Sequence, residues 1–455
     1  MKKQNDNSWA ADVTSKGALP RVDYGRGIHV YDTTGKRYID ASGGPAVYCL
    51  GHSHPEVNEA IKRQIDRIAH GYRYSFTSDP VEELSEHIAR NCGHGLNAIV
   101  FVSGGSEAVE SALKLALQYH SARGEATRRR FIARRRSWHG NTLGALSVSD
   151  FASRRAPFEG ALIPASFLST VNEYRPPVGV DAARLAEHGA AELEAEILRL
   201  GAANVAAFIF EPVVGAAGGV VPAPAGYAQR VRDVCTRHGV LMIADEVMCG
   251  SARCGTWRAL EHDGVAPDIL SIAKGLGGGY LPLGAAVYHQ RIQEAIVRHD
   301  GGPLTGHTFT AHTAACAAGA AVQRIVRRDG LVARVKTEGE YFISLLRERL
   351  GGIEAVGDIR GRGFFVGVEF VQNRATKAPF DPALLLSARI GKQGIARGLL
   401  CYPISGNVDG TRGDGVILAP PYITTREQLQ EIVDLFADSV QGALADIVEL
   451  ASSQA

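Results

Sequence analysis

Within the segment PDILSIAKGLGGGYLPLG, Lys274 sits in an apolar, strand-like run and is followed at once by Gly275, Gly277, Gly278 and Gly279. Loss of hydration lowers the pKa of an ammonium, and a neutral amine condenses readily with carbonyls. The competing reading is a lysine whose stem is buried while its charge reaches solvent. The glycines resemble a GxGxxG turn, but they come late in the chain and outside a βαβ unit, which argues against a dinucleotide loop. Upstream, LMIADEV is an apolar strand that ends in Asp245-Glu246. Ligands of open α/β sheets lie beyond the carboxyl ends of the strands. Asp245 is therefore a carboxylate aimed at a cleft, a helix N-cap or a magnesium ligand. Earlier still, AIVFVS runs into Ser103-Gly104-Gly105-Ser106 and an amphipathic helix. Free N–H groups at such a helix start can cradle a phosphate, although a plain tight turn reads the same way. Ser137-Trp138-His139-Gly140 follows FIARR; Trp138 either stacks on a flat ring or fills a core, and His139 is either functional or a satisfied buried imidazole. Gly306-His307-Thr308-Phe309-Thr310 offers hydroxyl donors from a loop, or is an ordinary turn.

The elements that must position these residues alternate along the chain. Up to about residue 55 the pattern is of short strands and turns, with GIHVYDTTGKRYID as a hairpin around Thr34-Gly35. Residues 56–325 alternate helices with short apolar strands: AIVFVS, FIARR, AAFIFEPV and VLMIADEV. That alternation predicts an α/β fold whose mainly parallel sheet is covered on both faces. Residues 326–455 read as a smaller α+β unit, so that both chain ends, 1–55 and 326–455, are expected to form a small domain beside the large one. The 455 residues are enough for two or three domains. Forty-nine Lys plus Arg against 48 Asp plus Glu leave a net charge of +1, which gives no global attraction to nucleic acid or to an anionic membrane. The runs Arg128–Arg130 and Arg134–Arg136 are expected to form a solvated edge rather than a polyanion patch. No apolar run approaches the roughly 18 residues of a membrane span, and the N-terminus lacks the apolar core of a signal peptide. The seven cysteines are scattered, and Cys249 and Cys254 lack zinc-type spacing. Reduced thiols in a cytoplasmic protein without a bound metal are the expectation.

A phosphate cradle, an aromatic plate, a strand-end carboxylate and a lysine, in that order, are the parts that hold pyridoxal 5'-phosphate. The order resembles the class III aminotransferases, the ω-aminotransferase branch of fold-type I pyridoxal-phosphate enzymes. DTTGKRYIDASGG, GHSHPEV, FVSGGSEAVESALKLA, SWHGNT, FEPVVG, ADEVMCG, PDILSIAKGLGGGYLPLGA, HTF, GDIRGRG and LAPPYIT are similar to the family's motifs and follow in its order. The resemblance implies that Lys274 holds the cofactor as an imine and that Asp245 keeps its pyridine nitrogen protonated. It further implies that Gly105 and Ser106 bind the phosphate, with Trp138, beside His139, and Val247 on the two ring faces. Glu211 is placed near the phenolic oxygen or the pocket wall. Thr308 is implied to reach the cofactor of a neighbouring subunit, making a homodimer the smallest active unit. Tyr48, Phe76 and Trp138 are implied to line the substrate pocket.

Four departures from the family pattern stand out. Met248 replaces a common Gln, and a thioether is a poor hydrogen-bond partner. Trp138 replaces Tyr or Phe, which narrows the pocket. Ala311-His312-Thr313 replaces an Asn-Pro. Ile417 stands where amino-acid-specific relatives often carry Arg. Arg412, in GTRGDG, is then either a mobile partner for a substrate carboxylate or a solvated loop arginine. The expected activity is ping-pong transfer of an amino group, through pyridoxamine phosphate, from an ω-amino acid, a diamine or polyamine, or another primary amine to a keto acid such as pyruvate. The same scaffold also hosts racemases, epimerases and decarboxylases. A non-catalytic cofactor-binding protein is disfavoured by the presence of both Lys274 and Asp245.

Overall fold

The computed structural model describes residues 19–454, with side chains through residue 450; residues 1–18 of the expected N-terminal piece lie outside that range. A seven-stranded sheet runs in the order Leu96–Val102, Gly284–His289, Ile269–Ile272, Leu241–Asp245, Val205–Phe210, Arg130–Arg134, Ala165–Leu168. The strands Val205–Phe210, Leu241–Asp245 and Ile269–Ile272 are buried at every residue, as expected where helices cover both faces. Helix Gly105–Ala122 buries Ala108, Val109, Ala112, Leu115, Ala116 and Tyr119 at three- and four-residue spacing, the stripe that packs a helix onto a sheet.

Gly284–His289 runs antiparallel to both of its neighbours. A parallel return needs a crossover, usually through a helix. Here the connecting residues 273–283 are taken up by the short turn Lys274–Leu276 and its glycines, so the chain can only double back. The sheet is therefore mixed but mainly parallel.

The chain ends meet. Arg37–Asp40 closes the predicted hairpin with His29–Asp32, and on its other side it pairs in parallel with Leu399–Leu400. The Asp32 carboxylate holds that hairpin by accepting from the N–H groups of Thr34 and Lys36 and from the Thr34 hydroxyl. The Thr34 hydroxyl first, then the Tyr38 hydroxyl at 2.8 Å and these N–H groups, hold its carboxyl down at about 2. A second four-stranded sheet, wholly antiparallel, is built from Val356–Arg362, Phe365–Phe370, Asp414–Leu418 and Tyr402–Ser405. One continuous helix, Thr313–Arg328, crosses residue 325. No helix among the described residues is long and apolar enough to cross a membrane.

The expected solvated arginine edge holds for Arg129, Arg130 and Arg135, which are exposed, and fails for the other three. Arg134 is buried at 2% exposure, lies over the rings of Phe210 and Tyr227 and donates to the carbonyl of Glu211. Arg128 donates to the carbonyls of Ala202, Val205 and His238, and Arg136 pairs with Asp150. A guanidinium tolerates burial where ring faces and carbonyls receive its face and its edge.

Candidate active site

Five strands, ending at Val102, Arg134, Phe210, Asp245 and Ile272, deliver their next residues to one cavity of about 430 Å³. They present Ser103–Ser106, Trp138–Gly140, Glu211, Asp245 with Val247, and Lys274. All five ends lie on the carboxyl edge of the parallel strands, where such sheets leave a crevice. Asp245 pairs with Ser271 across the sheet, and Lys274 follows three residues beyond, so register alone brings carboxylate and amine to the same opening.

Lys274 adopts φ +45°, a left-handed conformation that costs a non-glycine residue about 1–3 kcal/mol and is found mostly at functional sites. It is the only lysine lining the cavity among the described residues. Burial lowers the pKa of its ammonium; the Asp245 and Glu211 carboxylates pull it back up, while Arg253 and Arg154 lower it. More of the amine is therefore neutral near pH 7 than in an exposed lysine.

Asp245 accepts from His139 Nδ1 at 2.7 Å and from the Val247 N–H at 3.0 Å. Because a carboxylate can only accept, the proton on the imidazole is assigned to Nδ1. His139 is itself positioned by its backbone N–H, which donates to Ser149 Oγ at 2.8 Å, while its Nε2 is buried without a partner. Glu211 accepts from the N–H groups of Trp138 at 3.0 Å and Gly215 at 2.8 Å. Burial raises its pKa, with His139 acting in the opposite sense. Glu246, also buried, is pushed up to about 7. It accepts from the N–H groups of Ala259 and Leu260, a structural task away from the opening.

At the start of helix Gly105–Ala122 no side chain caps the first turn, which leaves N–H donors available. The Ser106 hydroxyl oxygen accepts from the Asn141 N–H at 3.0 Å, so its own proton remains to donate. Two glycines keep the cradle open. A Cβ on Gly105 would come within 2.7 Å of Val247 Cγ1, and one on Gly140, at φ +140°, within 2.6 Å of Ser106 Oγ.

Several residues expected at the site stand elsewhere. Phe76 is 69% exposed and lines a separate depression with Arg73 and Ala311. Tyr48 is not among the lining residues; its ring lies 4.5 Å from that of His52 and against Gly279. Thr308, expected at a neighbouring subunit's cofactor and not at its own, is exposed on its loop. Arg412 is tied to Asp409 at 2.6 Å and does not line the cavity. Ile417 is fully buried in its strand, so no side chain there reaches a substrate. Met248 does line the cavity. Sequence reasoning missed Ser149 and Arg154, which lie in an irregular stretch with no motif; only their spatial neighbours give them meaning.

The sequence profile of the class-III aminotransferases matches residues 11–440. This chain is a class III aminotransferase. An aminotransferase of Schizosaccharomyces pombe is 41% identical over 432 residues, covering 94% of this chain and 93% of its own. The diaminobutyrate–2-oxoglutarate transaminase of Halomonas elongata is 33% identical, covering 90% and 87%. An amine transaminase from an uncultivated Pseudomonas species, solved in its PLP-bound internal aldimine form, superimposes with a TM-score of 0.88 at 34% identity, covering 96% and 97%. These likenesses do not favour the racemase or decarboxylase reading. The aminotransferase depends on pyridoxal 5'-phosphate, as its family does. The residues present fit that group: an uncapped helix start opened by glycines suits the phosphate, and a carboxylate locked by His139 suits a protonated ring nitrogen. The Lys274 amine in the same cavity suits the aldehyde.

Proposed function

We propose that this aminotransferase moves the amino group of an ω-amino acid, a diamine or polyamine, or another primary amine to a keto acid, foremost pyruvate, in two ping-pong half-reactions. The observation that carries the reading is Lys274 and the His139-locked Asp245 opening into one cavity. In this reading Gly105 and Ser106 hold the phosphate, Trp138 and Val247 enclose the ring, and Glu211 orients Trp138 through its backbone. The cofactor, when bound, supplies an electron sink that makes the hydrogen on the amine-bearing carbon acidic. Lys274 removes that proton and later returns one to the cofactor side, so one amine serves as anchor and as general base. Asp245 holds the positive charge of the ring nitrogen, and His139 keeps Asp245 in place. Trp138 narrows the opening and favours a short acceptor, while apolar Met248, Val47 and Ala216 accept the carbon chain of an amine. The relatives named for diaminobutyrate and for amines lend support to this donor class.

The test is an amine-donor panel run with pyruvate and with 2-oxoglutarate, read by the cofactor's absorbance. Turnover with at least one ω-amino acid, diamine or arylalkyl amine is expected, with kcat/KM for pyruvate at least about tenfold above that for 2-oxoglutarate, a difference of about 1.4 kcal/mol. The absence of turnover with every pair would end the reading.

We further propose that a second copy of the chain completes the site. Tyr72, Tyr74, Phe76, Leu304 and Phe309 are exposed by 51, 73, 69, 71 and 57%, and His70 and His312 stack on each other beside Phe309. Exposed apolar side chains gathered on one face mark an interaction surface. Thr308 and Phe76 stand on that face, where a partner would carry them to the neighbouring cavity. Light scattering should return at least twice the 48.5 kDa of one chain; a monomer at micromolar concentration would refute the shared site.

A further inference from the structure

Most arginines of the stretch after the strand that leads to Trp138, and of the loop around Gly410 that faces it, are engaged. Arg136 pairs with Asp150 at 2.6 Å. Arg155 pairs with Glu159 at 2.9 Å and donates to the carbonyls of Leu146, Ser147 and Ser149. Arg412 holds Asp409 at 2.6 Å, and Asp409 in turn accepts from the N–H groups of Thr411 and Arg412, which pins the loop that carries Arg412. Arg154 differs. Its guanidinium lies 4.6 Å from the ring centroid of Trp138 and 5.1 Å from that of Phe151. Its side chain has no carboxylate or carbonyl partner among the described residues.

A cation–π contact uses the charge of a guanidinium and leaves its N–H donors without an acceptor. Those donors radiate in the plane, in the fork that matches a carboxylate. Arg154 is exposed and stands outside the cavity lining, but the indole it lies over is a wall of the cavity, and its charge is felt at both Lys274 and Tyr402. The two halves of transamination make opposite demands on such a group. Every 2-keto acid acceptor, pyruvate included, bears a carboxylate beside its carbonyl, whereas an amine donor need not bear one. A cation held by aromatic contacts and no ion pair can meet the acceptor's carboxylate without breaking a salt bridge.

We infer that Arg154 binds the carboxylate of the keto acid acceptor through the N–H donors of a guanidinium seated against Trp138. The inference rests on the transamination reading above and specifies its acceptor site. It also sets a donor preference: Arg154 repels the distal ammonium of a diamine.

The test uses the cofactor-loaded enzyme and Arg154→Gln. The variant should raise KM for pyruvate about tenfold or more with kcat little changed, the loss expected for hydrogen bonds to a charged group. KM for an uncharged aldehyde acceptor should stay within twofold, and kcat/KM for a diamine donor should rise. Calorimetric titration with propionate, which has no keto group, gives a readout without turnover: the wild-type enzyme should bind it and Arg154→Gln should bind it at least about tenfold more weakly. Equal KM increases for pyruvate and the aldehyde would mean a damaged pocket and overturn the inference. It would also be overturned if Arg412→Gln carried the pyruvate effect and Arg154→Gln none, or if both enzymes bound propionate alike. Loss of all turnover with every donor in the wild-type enzyme would instead strike the transamination reading, and the propionate titration separates the two failures.

Discussion

Lys274→Ala should lower multiple turnover by at least about 10⁴-fold, because general base catalysis and the covalent anchor disappear together. Lys274 is the only lysine lining the cavity among the described residues, so no neighbouring amine can take over. Its conformation points the same way: φ +45° is held in spite of strain, and between the buried Ala273 and Gly275 its side chain lines the opening. Lys274→Arg should fare little better, since a guanidinium stays protonated at neutral pH and neither condenses nor accepts a proton. The measurement is steady-state amine transfer to a keto acid, together with the visible absorbance of lysine-bound cofactor. Both should vanish. Survival of either in Lys274→Ala would remove the residue from the reaction.

Asp245→Asn should slow proton transfer by roughly 10²–10³-fold while leaving the cofactor bound, the usual cost of removing one fixed charge from a site where charge develops. The amide keeps the size of the carboxylate, so the sheet and the cradle at Gly105 are undisturbed. His139 loses its anionic partner at 2.7 Å, and the ring nitrogen loses the group that favours its proton. A pH effect accompanies the rate effect. The Asp245 charge raises the pKa of Lys274 against the lowering by burial. Removing it lets that pKa fall further, so the neutral amine persists to lower pH. The rising limb of cofactor uptake by the apoenzyme, plotted against pH, should therefore move to lower pH in the variant. A limb that moves upward, or a proton-transfer rate unchanged in a single-turnover assay, would show that this carboxylate does not act on the amine or the ring.

The chemistry-bearing residues were readable because each announces itself locally. A lysine inside an apolar run, an aspartate closing a buried strand and glycines at a helix start are anomalies within a few residues of their own position. The hairpin around Thr34-Gly35 was readable for the same reason, since Asp32 caps it from two and four residues away. The neighbours that give these residues their properties are another matter. His139 meets Asp245 across 106 residues, and no spacing rule connects them.

Taken alone, the sequence determined the family, the α/β layering, the cofactor and the lysine–aspartate pair, because apolar periodicity and motif order are properties of the chain read in one direction. Tertiary structure alone decided that Gly284–His289 runs against its neighbours, that Arg134 is buried on Phe210 and Tyr227, that Arg412 is pinned to Asp409 and that Arg154 lies on Trp138. It also set Tyr48 and Phe76 outside the single-chain cavity. The physical reason is common to all of them. A charged or aromatic side chain takes its place from whichever surfaces lie within about 5 Å once the strands are assembled, and those surfaces do not exist until distant segments have packed.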